Sequence, residues 1–99
     1  MLKSILNREE NRNKNMINEY SKELETLARG KIATKKVKGN TYYYLYYREG
    51  KKVISKYIGK DEESIISIQE QLDRRGQIEE IIKLLREEEI KIKKMEAIL

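Results

Sequence analysis

The chain has 99 residues and a net charge of +5, with 38% hydrophobic and 39% charged residues. It contains no Cys and no His, which excludes disulfides, thiolate metal sites and catalysis by a histidine base. No apolar run approaches the roughly 20 residues needed to cross a bilayer. We therefore expect a single small domain over residues 1–99, located in the cytoplasm and built around a thin core.

A first helix is predicted over residues 1–29. The asparagine-rich stretch 7–15 is either the solvated middle of one long helix or a break between two pieces. Gly30 follows directly and is a typical residue for ending a helix. The apolar residues that recur at helical spacing are Leu2, Leu6, Met16, Ile17, Tyr20, Leu24 and Leu27.

A three-stranded antiparallel meander is predicted over residues 31–59, because this segment is rich in β-branched and aromatic residues. Gly39-Asn40 and Glu49-Gly50 are the predicted two-residue turns. The expected strands are Lys31–Lys38, Thr41–Arg48 and Val53–Ile58.

Two helices are predicted next, over residues 61–75 and 77–98, with Asp61 as the N-cap of the first. The apolar stripes before and after Gly76 point about 150° apart at 100° per residue. A turn at Gly76 explains this offset. The competing interpretation is one long helix that contacts different partners on its two sides. The fold class is thus α+β, with two C-terminal helices in coiled-coil-like packing.

The last helix is predicted to form a homodimer. Its apolar positions keep a 3-4 spacing over three heptads with Glu88 as an interruption, and a single small domain has little surface to cover them. In a monomer, this helix would have to fold back onto the first one. The predicted interface residues are Ile78, Ile81, Leu85, Ile92 and Met95.

Residues 31–60 hold six of the seven tyrosines and a net charge of +8, from nine basic residues and one acidic residue. A sheet in which lysines alternate with aromatic residues is typical of a nucleic-acid contact surface. We therefore expect low-specificity binding of DNA or RNA through phosphate contacts. The predicted contact residues are Lys36, Lys38, Tyr43, Tyr47, Lys52 and Lys56.

This choice rests on an assignment of the two sheet faces. Strand alternation places Tyr42, Tyr44 and Tyr46 on one face, which is expected to pack on the helices. The opposite face, with the predicted contact residues, is expected to be exposed. A bulge at the second turn would exchange the faces of the third strand. In the preferred assignment, three apolar residues lie among the exposed lysines, namely Leu45, Ile54 and Ile58.

Enzymatic chemistry has little support in the sequence. There is no phosphate-binding glycine loop, no dinucleotide-binding glycine pattern and no cluster of carboxylates at metal-ligand spacing. We expect neither catalysis nor a cofactor.

The segment TYYYLYYREGKKVISKYIGK resembles the hairpin of a family of short, uncharacterised bacterial, archaeal and phage proteins, with similarity over residues 17–99. Residues 31–60 also resemble the arm-type DNA-binding domain of phage and transposon integrases, a three-stranded sheet that lies in the major groove. This second resemblance implies DNA contacts from the six predicted residues, without integrase activity. Small basic phage proteins also include anti-CRISPR inhibitors. The alternative function is therefore a protein–protein interaction module of a phage or mobile element that inhibits a nucleic-acid enzyme such as a host nuclease.

Overall fold

The chain folds into two helices and three strands, described here by a computed structural model of all residues 1–99. The N-terminal helix, the antiparallel meander and the C-terminal helical segment confirm the α+β prediction in outline, whereas the prediction of a third helix is wrong. None of the helices combines the length and the apolar character that a bilayer span requires. The elements in chain order are α1 (Leu2–Thr26), β1 (Lys31–Val37), β2 (Asn40–Glu49), β3 (Lys52–Gly59) and α2 (Glu62–Ile98).

The residues group into two compact units. Met1–Thr26 and Gly76–Leu99 form the helical unit, and Leu27–Arg75 form the sheet unit. Helix α2 contributes residues to both.

Helix α2 is continuous over 37 residues, about 55 Å at 1.5 Å per residue. The predicted turn at Gly76 is wrong, because Gly76 lies inside the helix. A glycine in a helix interior costs only about 1 kcal/mol relative to alanine, which a long helix tolerates. The residues before Gly76 belong to the sheet unit and those after it to the helical unit, which agrees with the competing interpretation of one long helix with two sets of partners.

Helix α1 is also continuous, so the asparagine-rich stretch is helical, but it ends at Thr26 instead of residue 29. The backbone that follows is bound by side chains of α2. The Arg75 guanidinium donates hydrogen bonds to the carbonyl oxygens of Ala28 (2.9 Å) and Leu27 (3.0 Å). The side-chain oxygen of Gln71 accepts a hydrogen bond from the Ala28 N–H at 2.9 Å. Because these groups have partners outside the helix, the chain leaves α1 early.

The core of the helical unit is thin, and one of its members is polar. Asn13 is only 3% exposed, and its side-chain nitrogen has no hydrogen-bond partner. An unpaired buried donor of this kind costs about 1–3 kcal/mol. The buried residues of the unit are Leu6, Asn13, Ile78, Ile82 and Ile92.

The five residues predicted for a homodimer interface lie in different environments. Ile78 and Ile92 are buried within the single chain, and Met95 is 47% exposed. Ile81 and Leu85 are half-buried. A homodimer stays a prediction, in which Ile81, Leu85 and Met95 are the members with surface left to bury.

The carboxyl groups of Glu10 in α1 and Glu96 in α2 share a hydrogen bond, which joins the two helices of the helical unit. The ammonium of Lys14 lies 3.0 Å from Glu10 Oε1, and this hydrogen bond lowers the pKa of Glu10 and raises that of Lys14. Burial and a hydrogen bond with Glu10 raise the pKa of Glu96 above 4.5. Lys93 lies close enough to favour the ionised forms of both carboxylates.

We expect Glu96→Gln to raise the melting temperature at pH 7. The folded state holds the Glu96 proton at pH values where the unfolded chain has lost it, so wild-type stability falls as pH rises from 4.5 through the folded-state pKa. Glutamine removes this loss, and the gain should vanish below pH 4.5. Thermal unfolding followed by circular dichroism between pH 3.5 and 8 measures the difference.

Glu87→Gln, at an exposed position of the same helix, is the control and removes the same charge. If Glu87→Gln gives the same gain at pH 7, the effect comes from net charge and not from the Glu10–Glu96 pair.

Both hairpins have two-residue turns, one position away from those predicted. The first is Lys38-Gly39, with φ angles of 52° and 81°, the left-handed values that a type I′ turn needs at both positions. The second is Gly50-Lys51. As a result, Tyr44 lies opposite Ala33 on one side and Tyr57 on the other. Compared with the predicted register, the partners of β1 and β3 are shifted by two residues along β2. A shift by an even number of residues leaves the side chains on their predicted sides of the sheet.

Candidate functional site

One face of the sheet, the inner face, is covered. Leu45, in the middle of β2, is 6% exposed and is the only buried residue of the sheet unit. Ile54 and Ile58 are half-buried, and Ile58 lines a cavity together with Leu45. Ile68 of α2 lines the same cavity. The inner face is therefore the side of the sheet that meets the first part of α2.

This finding corrects the predicted orientation of the sheet. Tyr42, Tyr44 and Tyr46 are predicted to face the helices, and Tyr43 and Tyr47 are predicted to be exposed. The structure has the opposite arrangement, since the odd-numbered tyrosines share their side with buried Leu45. The division of residues between the faces was right, and the choice of the exposed face was wrong.

The opposite side, the outer face, is a surface of tyrosine rings. Tyr44 lies 5.4 Å from Tyr57 and 6.3 Å from Tyr46 between ring centroids, and Tyr42 lies 6.2 Å from Tyr57. The interplanar angles are 48–55°, so the rings tilt against one another without stacking in pairs. Tyr57 is 53% exposed and Tyr46 is 36% exposed. Tyr42 and Tyr44 are half-buried, so Tyr46 and Tyr57 form the part of the cluster that is open to other molecules.

Basic side chains surround these rings. The Lys60 ammonium lies 4.7 Å from the centroid of the Tyr42 ring, a cation–π contact. Lys35 is paired with Tyr42, and Lys31 is paired with Tyr46. Arg48 follows on the same side of β2. Strand positions on the outer face carry no Asp or Glu. The strand positions of the outer face are Lys31, Ala33, Lys35, Val37, Asn40, Tyr42, Tyr44, Tyr46, Arg48, Val53, Ser55 and Tyr57.

The four lysines predicted as contacts do not form one cluster. Lys36 pairs with Thr41 at one end of the sheet, and Lys52 pairs with Glu49 at the other. These β2 positions are about 27 Å apart at 3.4 Å per residue. Lys38 lies in the first turn, beyond Lys36, and Lys56 lies opposite Leu45.

The two predicted tyrosines are half-buried on the inner face. The guanidinium of Arg29 lies 5.0 Å from the centroid of the Tyr47 ring. Tyr43 pairs with Thr34 and, across a bulge in the ladder, with Gly59. Neither ring belongs to the open aromatic surface.

The predicted contact residues do not include the four outer cations Lys31, Lys35, Arg48 and Lys60 or the even-numbered tyrosines beside them. One signal was available. Three aliphatic residues on one face of a small sheet are a stronger mark of burial than tyrosines, whose hydroxyl groups tolerate water.

The sequence profile of a family described as a domain of unknown function (DUF6788) matches residues 6–67. The chain belongs to this family. The DUF6788 match takes in α1 from Leu6 onward, the whole sheet and the first residues of α2, so both sheet faces lie within it. No curated protein matches the chain, and no solved structure does.

The outer face offers binding chemistry. Exposed rings stack on flat aromatic molecules, and the cations around them attract phosphate or carboxylate groups. No group of three or more His, Cys, Asp or Glu side chains is placed to hold a metal ion.

Proposed function

We propose that the protein binds nucleic acid through the outer face of its sheet. The observation that carries the proposal is a cluster of four tyrosines surrounded by basic residues, with Tyr46 and Tyr57 exposed, Tyr42 and Tyr44 half-buried, and no carboxylate at a strand position of that face. Monomeric proteins rarely leave such a contiguous apolar surface open unless it contacts something.

The rings and the cations have separate roles in this proposal. Tyr44, Tyr46 and Tyr57 stack on bases, a contact that tolerates any sequence because every base has a flat π face. Lys31, Lys35, Arg48 and Lys60 contact phosphates. Asn40 is the only amide at a strand position of this face, and no acidic residue stands there, so few groups can read base edges and discrimination between sequences is low.

The resemblance of residues 31–60 to integrase arm-type domains supports a contact between the sheet and DNA, since those domains also present a three-stranded sheet to DNA, and the choice of face comes from the burial of Leu45. In this chain the groove-facing role falls on the outer-face residues in place of the six predicted from the sequence. No catalytic step is part of the proposal.

We expect the affinity of this face to depend strongly on salt. If four phosphates are neutralised, log K falls with log[salt] at a slope of about −3.6 for a duplex and about −2.8 for a single strand. Lys31→Ala with Lys35→Ala should flatten the duplex slope by about 1.8. Fluorescence anisotropy of a labelled duplex and a labelled single strand, titrated at several salt concentrations, measures both values.

Lys36→Ala with Lys52→Ala is the matched control, because it removes the same charge from inner-side positions of the two edge strands, β1 and β3. A larger loss from this pair than from Lys31 and Lys35 would contradict the outer face as the contact surface. The absence of binding to either probe at low salt would remove the proposal and favour a protein partner, such as the nuclease target of an inhibitor.

We expect Tyr57→Ala to weaken single-strand binding by about 1–3 kcal/mol, with little change in the salt slope, because the ring stacks on a base and carries no charge. Tyr57→Phe keeps the ring and should bind nearly as well as the wild type. The same anisotropy titrations measure both variants. If the phenylalanine variant binds as weakly as the alanine variant, the hydroxyl group and not stacking makes the contact.

A further inference from the structure

The sheet unit has a cavity of about 600 Å³, which is lined mainly from the inner side of the sheet and also touches Tyr57 of the tyrosine surface. Leu45, Ile58 and Ile68 line it as an apolar floor. Sites for small organic ligands in proteins range from about 300 to 1,000 Å³ and have mostly apolar walls with a few polar groups. The cavity has the size of such a site, and its lining joins these aliphatic residues to a larger share of polar ones, namely Arg29, Glu49, Lys56, Ser64 and Gln71.

The cavity also explains why the sheet unit has so few buried residues. Only Leu45 is buried among residues 27–75, whereas protein interiors normally leave few voids larger than a water molecule. The surrounding aliphatic side chains Ile58 and Ile68 are half-buried because they face this space. A ligand in the cavity would complete the core.

The charges at the cavity define what kind of ligand fits. Arg29 and Lys56 are exposed and line the cavity, with one carboxylate, Glu49, among the lining residues. Neither cation makes an ion pair within the chain. The Arg29 guanidinium lies over the Tyr47 ring at 5.0 Å, so its position is held while its N–H groups stay available.

We propose that this cavity binds a small organic anion with a flat apolar body, such as an aromatic carboxylate, sulfonate or phosphate. The body lies on the floor formed by Leu45, Ile58 and Ile68, beside the Tyr47 ring. The anionic group lies at Arg29 and Lys56, where a guanidinium can donate two parallel hydrogen bonds to two oxygens of the anion. The proposal does not depend on nucleic-acid binding, since it uses Arg29 and the aliphatic floor and shares only Tyr57 with the tyrosine surface.

The test uses 8-anilinonaphthalene-1-sulfonate, whose fluorescence rises in an apolar site, titrated into the full chain. N-phenyl-1-naphthylamine, the same ring system without the sulfonate, is the neutral comparison. We expect the anionic dye to bind at least tenfold more tightly than the neutral one, because the neutral dye lacks the contact with Arg29.

Two variants locate the site. Ile68→Trp places a large ring in the cavity and should abolish the signal, whereas Ile66→Trp, at a position 50% exposed on the same helix, should preserve it. Arg29→Gln, at an exposed position where the fold is not at risk, should weaken the anionic dye about tenfold and leave the neutral dye unchanged. Circular dichroism of each variant checks that the chain is folded.

The proposal is overturned if the two dyes bind equally, if Ile66→Trp and Ile68→Trp lower the signal alike, or if Arg29→Gln changes neither dye. It is also overturned if Tyr46→Ala removes the signal, because Tyr46 lies on the tyrosine surface and does not line the cavity. Retention of the anionic preference in Tyr46→Ala together with its loss in Arg29→Gln supports the cavity.

Discussion

Gly30→Ala is expected to destabilise the protein by about 3 kcal/mol or more. Gly30 has a φ of +108°, a conformation that side chains disfavour, and it approaches β2 closely. A Cβ atom at this position would collide with the backbone carbonyl of Tyr46. Backbone atoms of a paired strand move less easily than side chains, so the strain would fall on the β1–β2 pairing. Urea unfolding followed by circular dichroism measures the loss.

Gly76→Ala is the matched control, and its expected effect has the opposite sign. Gly76 lies inside α2, and a Cβ atom there meets no atom within 4 Å. Alanine should therefore stabilise the helix by about 0.5–1 kcal/mol. A stable Gly30→Ala protein would contradict the close approach of Gly30 to Tyr46. A destabilised Gly76→Ala protein would instead show that α2 bends at this residue.

Ile78→Ala is expected to cost about 2–5 kcal/mol, which is a large part of the stability of a 99-residue chain. Ile78 is the only large side chain of the protein that is completely buried. Removing its outer carbons leaves a cavity in a core that has few other members. Thermal unfolding and urea unfolding should both show the loss.

Ile90→Ala makes the same chemical change on the same helix at a position that is 55% exposed. We expect its effect to stay within about 0.5 kcal/mol, as for most surface substitutions. Equal losses at the two positions would mean that Ile90 is covered in solution, as a helix-mediated dimer would require. Light scattering of the wild type would then distinguish that case from an error in the assignment of the core.

The elements of this fold were largely predictable from local patterns. The periodicity of α1, the β-forming run in residues 41–48 and the N-cap at Asp61 all act over a few residues, and each is found in the structure. The end of α1 was not predictable in the same way. It depends on Arg75 and Gln71, which bind its backbone from more than 40 residues further along the chain.

The two larger errors have different physical origins. A turn at Gly76 is predicted from the offset of about 150° between the two apolar stripes, but one continuous helix of 37 residues carries both stripes, and a glycine costs it only about 1 kcal/mol. The exposed face of the sheet was misassigned because the lysines were given more weight than Leu45, Ile54 and Ile58 on the same side. Alternation shows which residues share a face, and only the burial of aliphatic carbon shows which face is covered.

The position of β2 in the sheet has a consequence for aggregation. Residues 41–47, TYYYLYY, form an uncharged run of strong β-formers, the composition that adds readily to other chains in amyloid-like contacts. The strand order β1-β2-β3 pairs this run on both sides and leaves β1 and β3 as the edges. Those edges carry Lys31, Lys35, Lys36, Lys52 and Lys56, which resist pairing with a second sheet. Neutralising lysines on β1 to test binding would therefore also lower the protein's resistance to edge-to-edge aggregation.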